Sequence, residues 1–163
     1  MLKRHFVIAL ATAATAAVIS GCATGPHPVS VADTLAAQAR LSTLSSLVAK
    51  AGLTDTLKAG GPFTVFAPTN EAFAKVPAKT LETLASDPAQ LKAVLGYHVL
   101  PAKVLAADVK NGNSKTLNGA NVALSRAGDF VTVEEALVVT PDILATNGVV
   151  HVVDSVLLPP ASR

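Results

Sequence analysis

A histidine and an aspartate lie three residues apart in the segment NGVVHVVDSVLLPP, residues 147–160. His151 and Asp154 are residue types that act as acids and bases in catalysis or bind metal ions. The residues around them are mostly valine and leucine, which favours a strand covered on both faces. Side chains alternate along a strand, so Val149, His151 and Val153 share one face and Asp154 lies on the other. The pattern predicts a buried, hydrogen-bonded structural histidine and no catalytic pair.

Other patterns for chemistry are missing from the sequence. It has no G-x-S-x-G elbow, no G-x-G-x-x-G and no phosphate loop. The histidines at 27, 98 and 151 lack metal-ligand spacing. His98, His151, Asp154 and a serine can be combined on paper into a triad, but most chains of this length allow such a combination. We expect no catalytic residue, no metal site and no cofactor.

The N-terminus has the pattern of a secretory signal. Lys3 and Arg4 precede a 14-residue apolar run from Phe6 to Ile19. A membrane-spanning helix needs about 20 apolar residues, so cleavage is favoured over an uncleaved membrane anchor. We predict that residues 1–21 are a lipoprotein signal peptide.

Cys22 is the only cysteine, and a lone thiol cannot form an intrachain disulfide. The segment VISGC that it ends resembles a bacterial lipobox, which implies acyl chains such as palmitate on Cys22 and thereby membrane attachment. The alternative is a spare cysteine beside an ordinary cleavage site. If Cys22 carries the lipid, residues 22–29 form a lipidated tether between the membrane and the domain. By resemblance to other lipoproteins, Ala23 after the cysteine is compatible with sorting to the outer membrane, so we expect the outer membrane or cell surface and not the inner membrane.

The charge balance excludes a nucleic-acid footprint. Of the 13 Lys and Arg residues, Lys3 and Arg4 leave with the signal, so 11 positive charges face 11 acidic ones. A nucleic-acid partner needs a basic patch or stripe. With 50% hydrophobic and 15% charged residues, the remainder fits one globular domain.

Helical patterns precede strand patterns along this domain. Apolar residues recur at helical spacing from Val31 to Leu57, with Ser42 as a candidate cap and Gly52 as a stop. After the short strand Phe63–Thr69, further helices extend to residue 96, and the period changes to two from Tyr97 onward. We expect a hairpin around residues 127–129 and a turn at TPD, residues 140–142. This order predicts an α+β domain with segregated layers.

Three segments also resemble the fasciclin domain family. GPFTVFAPTNEAF (61–73), YHVL (97–100) and ATNGVVHVVDSVLLPP (145–160) are similar to its first signature, its central Tyr-His motif and its second signature. The resemblance covers residues 30–160 and leaves residues 161–163 as a C-terminal tail. Its structural signature here comprises Phe66, Pro68, Thr69, Asn147, Gly148, His151 and Asp154.

The resemblance implies a β-wedge or sandwich with helices packed on one side, and a binding module for cell adhesion without enzymatic activity. The partner-binding elements proposed in adhesive relatives fall on Tyr97 and His98, and on Asp142 and Ile143. For Tyr97 and His98 the alternative is a core role, and for Asp142 an ordinary turn-forming aspartate.

We therefore expect a membrane-tethered envelope lipoprotein that binds a protein or extracellular-matrix partner and no nucleic acid. A periplasmic carrier of a small apolar ligand is the alternative, and an enclosed apolar pocket would favour it.

Overall fold

The structure is a computed structural model that describes residues 29–159. Six α-helices and seven strands lie in this range. The helices are α1 (Val31–Ala37), α2 (Ser42–Lys50), α3 (Thr54–Ala59), α4 (Asn70–Ala74), α5 (Ala78–Ser86) and α6 (Pro88–Tyr97). The strands are β1 (Phe63–Pro68), β2 (Val99–Leu100), β3 (Gly112–Lys115), β4 (Asn121–Ala127), β5 (Phe130–Val133), β6 (Ala136–Ala145) and β7 (Gly148–Val153). The predicted α+β class, with its helices mainly in the N-terminal half, is confirmed.

All seven strands form one mixed sheet in the order β2-β1-β7-β6-β5-β4-β3. Strands β1 and β7 are parallel, and every other neighbouring pair is antiparallel. The turn between β3 and β4 contacts β2, the strand at the other edge of the sheet. There the Leu117 N–H donates to the Val99 carbonyl at 2.7 Å. The sheet therefore nearly closes on itself, and β1 and β7 are interior strands that follow the edge strand β2.

Strands β1 and β7 are buried on both faces. From one face Val65, Ala67, Val150 and Val152 pack against the helices in one apolar cluster. From the other face Phe66 and Val153 join a second cluster with the inner residues of β4 and β5, namely Val122, Leu124, Val131 and Val133. Because both faces are covered, β7 has the continuous valine pattern of a fully buried strand.

Side-chain caps begin three of the helices. Ser30 Oγ accepts from the Asp33 N–H at α1, Thr69 Oγ1 accepts from the Ala72 N–H at α4, and Asp87 caps α6 ahead of Pro88. Gly52 takes a φ of 67° after α2, as predicted for the stop.

The predicted role of Ser42 as a cap is wrong. Ser42 is the first residue of α2, and Leu41 precedes it at the end of a 3₁₀ turn. The free N–H of Thr43 is instead satisfied by the side-chain oxygen of Asn70, 3.1 Å away at the start of α4. A cap from a distant segment leaves no local sequence signal.

The hairpin expected around residues 127–129 is present, with β4 and β5 joined at Gly128 and Asp129. The expected turn at TPD is not a turn between strands. Strand β6 continues through Pro141 and Asp142, and the irregularity there is a β-bulge between Thr140 and Ile143 opposite β7. A bulge places the extra residue outside the ladder and re-aims its side chain.

Candidate interaction site around the β6 bulge

The two signature segments lie side by side in the sheet. Strand β1 pairs in parallel with β7, so Phe66 is opposite His151 and Pro68 is opposite Val153. The rings of Phe66 and His151 stack with centroids 5.7 Å apart. After β1 ends, the Thr69 N–H donates to the Val153 carbonyl at 3.2 Å. These contacts give the signature residues a role in the scaffold.

Asn147 connects three elements at the β6–β7 turn. Its Oδ1 accepts from the Val31 N–H at 2.8 Å, which caps the start of α1. Its Nδ2 donates to the carbonyls of Leu57 at 2.6 Å and Gly60 at 2.9 Å, at the end of α3. Its own carbonyl accepts from the Phe63 N–H at 3.0 Å. One carboxamide thus satisfies backbone groups at the start of α1 and at the end of α3.

Gly148 follows Asn147 because the backbone of β1 passes too close for a side chain. A Cβ at position 148 would lie 2.1 Å from the Phe63 carbonyl oxygen, far inside van der Waals contact. The Asn-Gly pair, which signals a hairpin turn in the sequence, therefore also sets the spacing of β7 against β1.

Asp154 and His151 have separate partners. Asp154 Oδ1 accepts from the Leu137 N–H at 2.9 Å, and the Asp154 N–H donates to the Leu137 carbonyl at 3.1 Å. The carboxylate thereby extends the pairing of β6 with β7 by one residue beyond the strand. No hydrogen bond joins Asp154 to His151, so they do not form a base and its orienting acid.

His151 is 1% exposed and holds two segments of backbone. Its Nδ1 accepts from the Asp142 N–H at 3.2 Å, and its Nε2 donates to the Val104 carbonyl at 2.9 Å. An N–H facing Nδ1 and a carbonyl facing Nε2 require the neutral tautomer with its proton on Nε2. Burial lowers the pKa of His151, although the Val104 carbonyl and the Asp142 charge oppose that shift.

Asp142 lies on the bulge that His151 holds. Its φ is 56°, in the left-handed region that aspartate tolerates better than most residues. Its Oδ1 accepts from the Ala106 N–H at 2.8 Å and so caps a 3₁₀ turn at Ala106–Asp108. Asp142 is exposed, while the neighbouring Ile143 is half-buried and packs against the helical core. The bulge thus presents a carboxylate in a fixed position at the surface.

A loop covers the inner side of this bulge. Thr64 Oγ1 donates to the Ala102 carbonyl at 2.6 Å and accepts from the Val104 N–H at 2.8 Å. Thr64, His151 and Asp142 therefore hold the backbone between residues 102 and 106. The sequence did not identify Thr64 or Val104, because a threonine in a β-branched run is the ordinary composition of a strand.

Tyr97 ends α6 with its side chain 2% exposed. Its hydroxyl lies 3.0 Å from the Asn121 carbonyl and 3.0 Å from Glu134 Oε1. Burial and then the bond to Glu134 raise the pKa of Tyr97 to about 12. Glu134 Oε1 also accepts from the Ala123 N–H at 2.8 Å, so it links α6 to β4. Nothing in the sequence distinguishes Glu134 from its neighbour Glu135.

His98 is 2% exposed and is also bonded on both ring nitrogens. Its Nδ1 donates to the Val94 carbonyl at 2.8 Å, and its Nε2 accepts from the Leu157 N–H at 3.0 Å. Burial lowers the pKa of His98 to about 4, against a smaller opposing effect of the Val94 bond. Tyr97 and His98 therefore attach the C-terminal segment and β4 to α6, and neither side chain is available at the surface.

The described residues contain no group of three or more His, Cys, Asp and Glu side chains arranged to hold a metal ion. A cleft of about 520 Å³ lies beside Tyr97, with polar walls that include Asn121, Glu134 and Glu135 and apolar walls at Val156 and Leu158. Mixed walls with two carboxylates do not match the apolar pocket that a carrier needs.

Cys22 and the predicted signal and tether lie outside residues 29–159. Within those residues, none of the helices has the length and apolar character needed to cross a bilayer.

The chain belongs to the fasciclin domain family, whose model matches residues 39–159. The chain is 41% identical to protein sll1483 of Synechocystis over 91% of this chain and 83% of that protein. It is 36% identical to the cell surface glycolipoprotein MPB83 of Mycobacterium bovis, over 94% of this chain and 77% of that protein. It is 37% identical to the transforming growth factor-beta-induced protein ig-h3 of Sus scrofa, over 74% of this chain but 18% of that longer protein.

A solved structure has the same fold. The FAS1 domain pair of the insect cell adhesion molecule fasciclin I matches with a TM-score of 0.67 at 18% identity, over 80% of this chain and 51% of that one. The fasciclin family model and the likeness to a cell adhesion molecule support an adhesion or interaction role for the domain. One of these relatives, MPB83, is a cell surface glycolipoprotein.

Proposed function

We propose that this protein is a lipid-anchored envelope protein whose fasciclin domain binds a protein or matrix partner through the β6 bulge. Residues 1–21 serve as the signal peptide, 22–29 as the lipidated tether, 30–160 as the binding domain and 161–163 as a short tail. The acyl chains on Cys22 hold the protein at the outer membrane or the cell surface.

The observation that carries the binding site is the exposed carboxylate of Asp142 in a fixed position. The Asp142 N–H donates to Nδ1 of the buried His151, and the Ala106 N–H donates to Oδ1 of the Asp142 carboxylate. A side chain that is already ordered loses little entropy when a partner binds. The exposed residue Pro141, next to Asp142 in the chain, adds apolar surface beside this carboxylate.

Tyr97 and His98 support the site from a distance. Both are buried, so their part in partner binding is to keep the sheet and the C-terminal segment in place. Substitutions there should reduce binding only as far as they reduce the stability of the domain.

Crosslinking and pull-down from intact cells test the role of Asp142. Three forms are compared: wild type, Asp142→Asn and Asp142→Ala. Asparagine tolerates the left-handed backbone and retains an oxygen for the Ala106 N–H, whereas alanine lacks that oxygen. A partner that needs the charge is lost in both variants, and one that needs only the shape of the bulge is retained by Asp142→Asn. Recovery of the same partners by all three forms contradicts the assignment.

Fractionation tests the anchor separately. Cys22→Ala should move the protein from the membrane to the soluble fraction, and Ser20→Ala is the matched control that retains the cysteine. Membrane association that persists in Cys22→Ala contradicts lipid attachment.

A further inference from the structure

The point at which the tether reaches the domain is fixed in the fold. The Val29 carbonyl accepts from the Thr146 N–H at 3.0 Å and from the Thr146 hydroxyl at 3.2 Å. The chain therefore enters the domain at the β6–β7 turn. Thr146 is four residues beyond Asp142, a distance of at most about 14 Å along a strand.

The tether is shorter than the domain is wide. Six residues lie between Cys22 and Val29, and the seven steps from one Cα to the next span at most about 25 Å when fully extended. A compact domain of 131 residues, the range 29–159, has a radius of gyration of about 14 Å and hence a diameter of about 36 Å. A lipid on Cys22 cannot reach the bilayer if the β6–β7 turn points away from it.

The surface around this turn suits a lipid headgroup layer. Leu144 is 64% exposed and Val29 is 40% exposed, and Pro62 and Lys103 are also at the surface. Lys103 and Pro62 line a cleft of about 480 Å³ with Thr146 and Asn147. An apolar residue beside an exposed lysine can enter the interface while the ammonium group remains among the headgroups.

Leu144 and Lys103 belong to the same side of the sheet. Leu144 is opposite Val149 on β7, and Val149 is opposite Thr64 on β1. Paired residues share a face, and Thr64 holds the loop that carries Lys103. Val29 is bonded to Thr146, which lines the same cleft as Pro62 and Lys103. The exposed residues around the β6–β7 turn, namely Val29, Pro62, Lys103 and Leu144, are here called the turn face.

We propose that the turn face rests against the bilayer that holds the anchor. Because the Asp142 bulge lies beside this face, its partner is engaged at the membrane surface, as a component of the same envelope and not of a distant surface. This orientation rests on the proposed lipid attachment at Cys22. The exposed carboxylate of Asp142 limits how deeply the domain approaches anionic lipids.

A photo-crosslinking amino acid placed at position 144 or at position 135 tests the orientation in intact cells. Glu135 is exposed and precedes β6, whose ten residues place it about 30 Å from the turn. After irradiation, lipid adducts are measured by mass spectrometry for the native tether, for a tether lengthened by 20 Gly and Ser residues, and for Cys22→Ala.

With the native tether, position 144 should give at least fivefold more lipid adduct than position 135. If the ratio of lipid adduct at position 144 to that at position 135 falls when the tether is lengthened, the short tether sets the orientation. If the ratio persists, the affinity of the turn face for the bilayer sets it. If positions 144 and 135 give equal lipid adducts and Cys22→Ala still releases the protein from the membrane, the proposed orientation is wrong while the anchor stands. If Cys22→Ala releases nothing, the anchor fails and the orientation with it.

Discussion

The imidazole of His151 is the direct support of Asp142, since its Nδ1 accepts the Asp142 N–H at 3.2 Å. The two residues are nine positions apart and lie on neighbouring antiparallel strands at a bulge. A residue of the family signature thereby holds the backbone of the proposed contact residue. The buried histidine therefore supports the proposed binding surface from the interior of the domain.

Replacing His151 with phenylalanine should loosen the bulge selectively. Phenylalanine can still stack on Phe66 but leaves the Asp142 N–H and the Val104 carbonyl without partners. Each unsatisfied buried group costs about 1–3 kcal/mol, so two of them should lower the free energy of unfolding by about 2–6 kcal/mol. Native-state hydrogen exchange should accelerate most at the Asp142 amide, with the Thr116 amide in the β3–β4 turn as reference. Equal acceleration at both amides would show that His151 supports the whole fold and not the bulge.

Acid should destabilise the domain through His98. Its pKa is about 4 when folded and about 6.5 when unfolded, so the unfolded chain binds the proton more tightly. Stability is therefore complete above pH 6.5 and falls as the pH drops towards 4, by about 3 kcal/mol from this group. Urea unfolding at a series of pH values measures the loss, and NMR titration assigns it. A His98 that titrates near pH 6.5 in the folded protein is incompatible with its double hydrogen bonding.

Asn147→Ala should be far more damaging than its half-exposed position suggests. The substitution removes the cap of α1 and leaves the carbonyls of Leu57 and Gly60 without their amide donor. We expect a loss of about 2–4 kcal/mol in urea unfolding. Asn113→Ala, at an exposed position of the edge strand β3, is the control and should change stability by less than about 0.5 kcal/mol. Similar losses of unfolding free energy in Asn147→Ala and Asn113→Ala would contradict the proposed role of Asn147.

Gly148→Ala should prevent normal pairing of β7 with β1. The added methyl group would overlap the Phe63 carbonyl oxygen, which belongs to the parallel ladder and cannot move without breaking it. We expect a loss of more than about 3 kcal/mol, seen as low soluble yield or a strongly lowered unfolding temperature. A variant with wild-type stability would show that the two strands can separate at this point.

Local patterns in the sequence predicted much of the fold. The valine run of β7 predicted burial on both faces, and the glycine after α2 and the cap of α6 each act within a few residues. The interactions that the sequence missed join distant segments: Asn70 with Thr43, Glu134 with Tyr97, and Thr64 with the loop before Ala106. Such contacts depend on how the layers meet, which no local spacing encodes.

For the site, the resemblance supplied the residues and the structure supplied their environments. Asp142 was expected in a turn because proline precedes it, but β7 continues to pair on either side and converts the irregularity into a bulge. Tyr97 and His98 came from the same resemblance, yet an aromatic and an imidazole at the end of a buried helix are drawn into the core by their apolar surface.

The most direct test of the proposed binding surface is photo-crosslinking from Pro141, the exposed neighbour of Asp142, in intact cells. A probe at position 141 should yield a discrete protein adduct, and a probe at Asn113 on the edge strand should not. Adding Asp142→Ala to the position-141 probe should remove the adduct. The same adducts from both positions, or an adduct from position 141 that survives Asp142→Ala, would contradict the assignment of the β6 bulge as the binding surface.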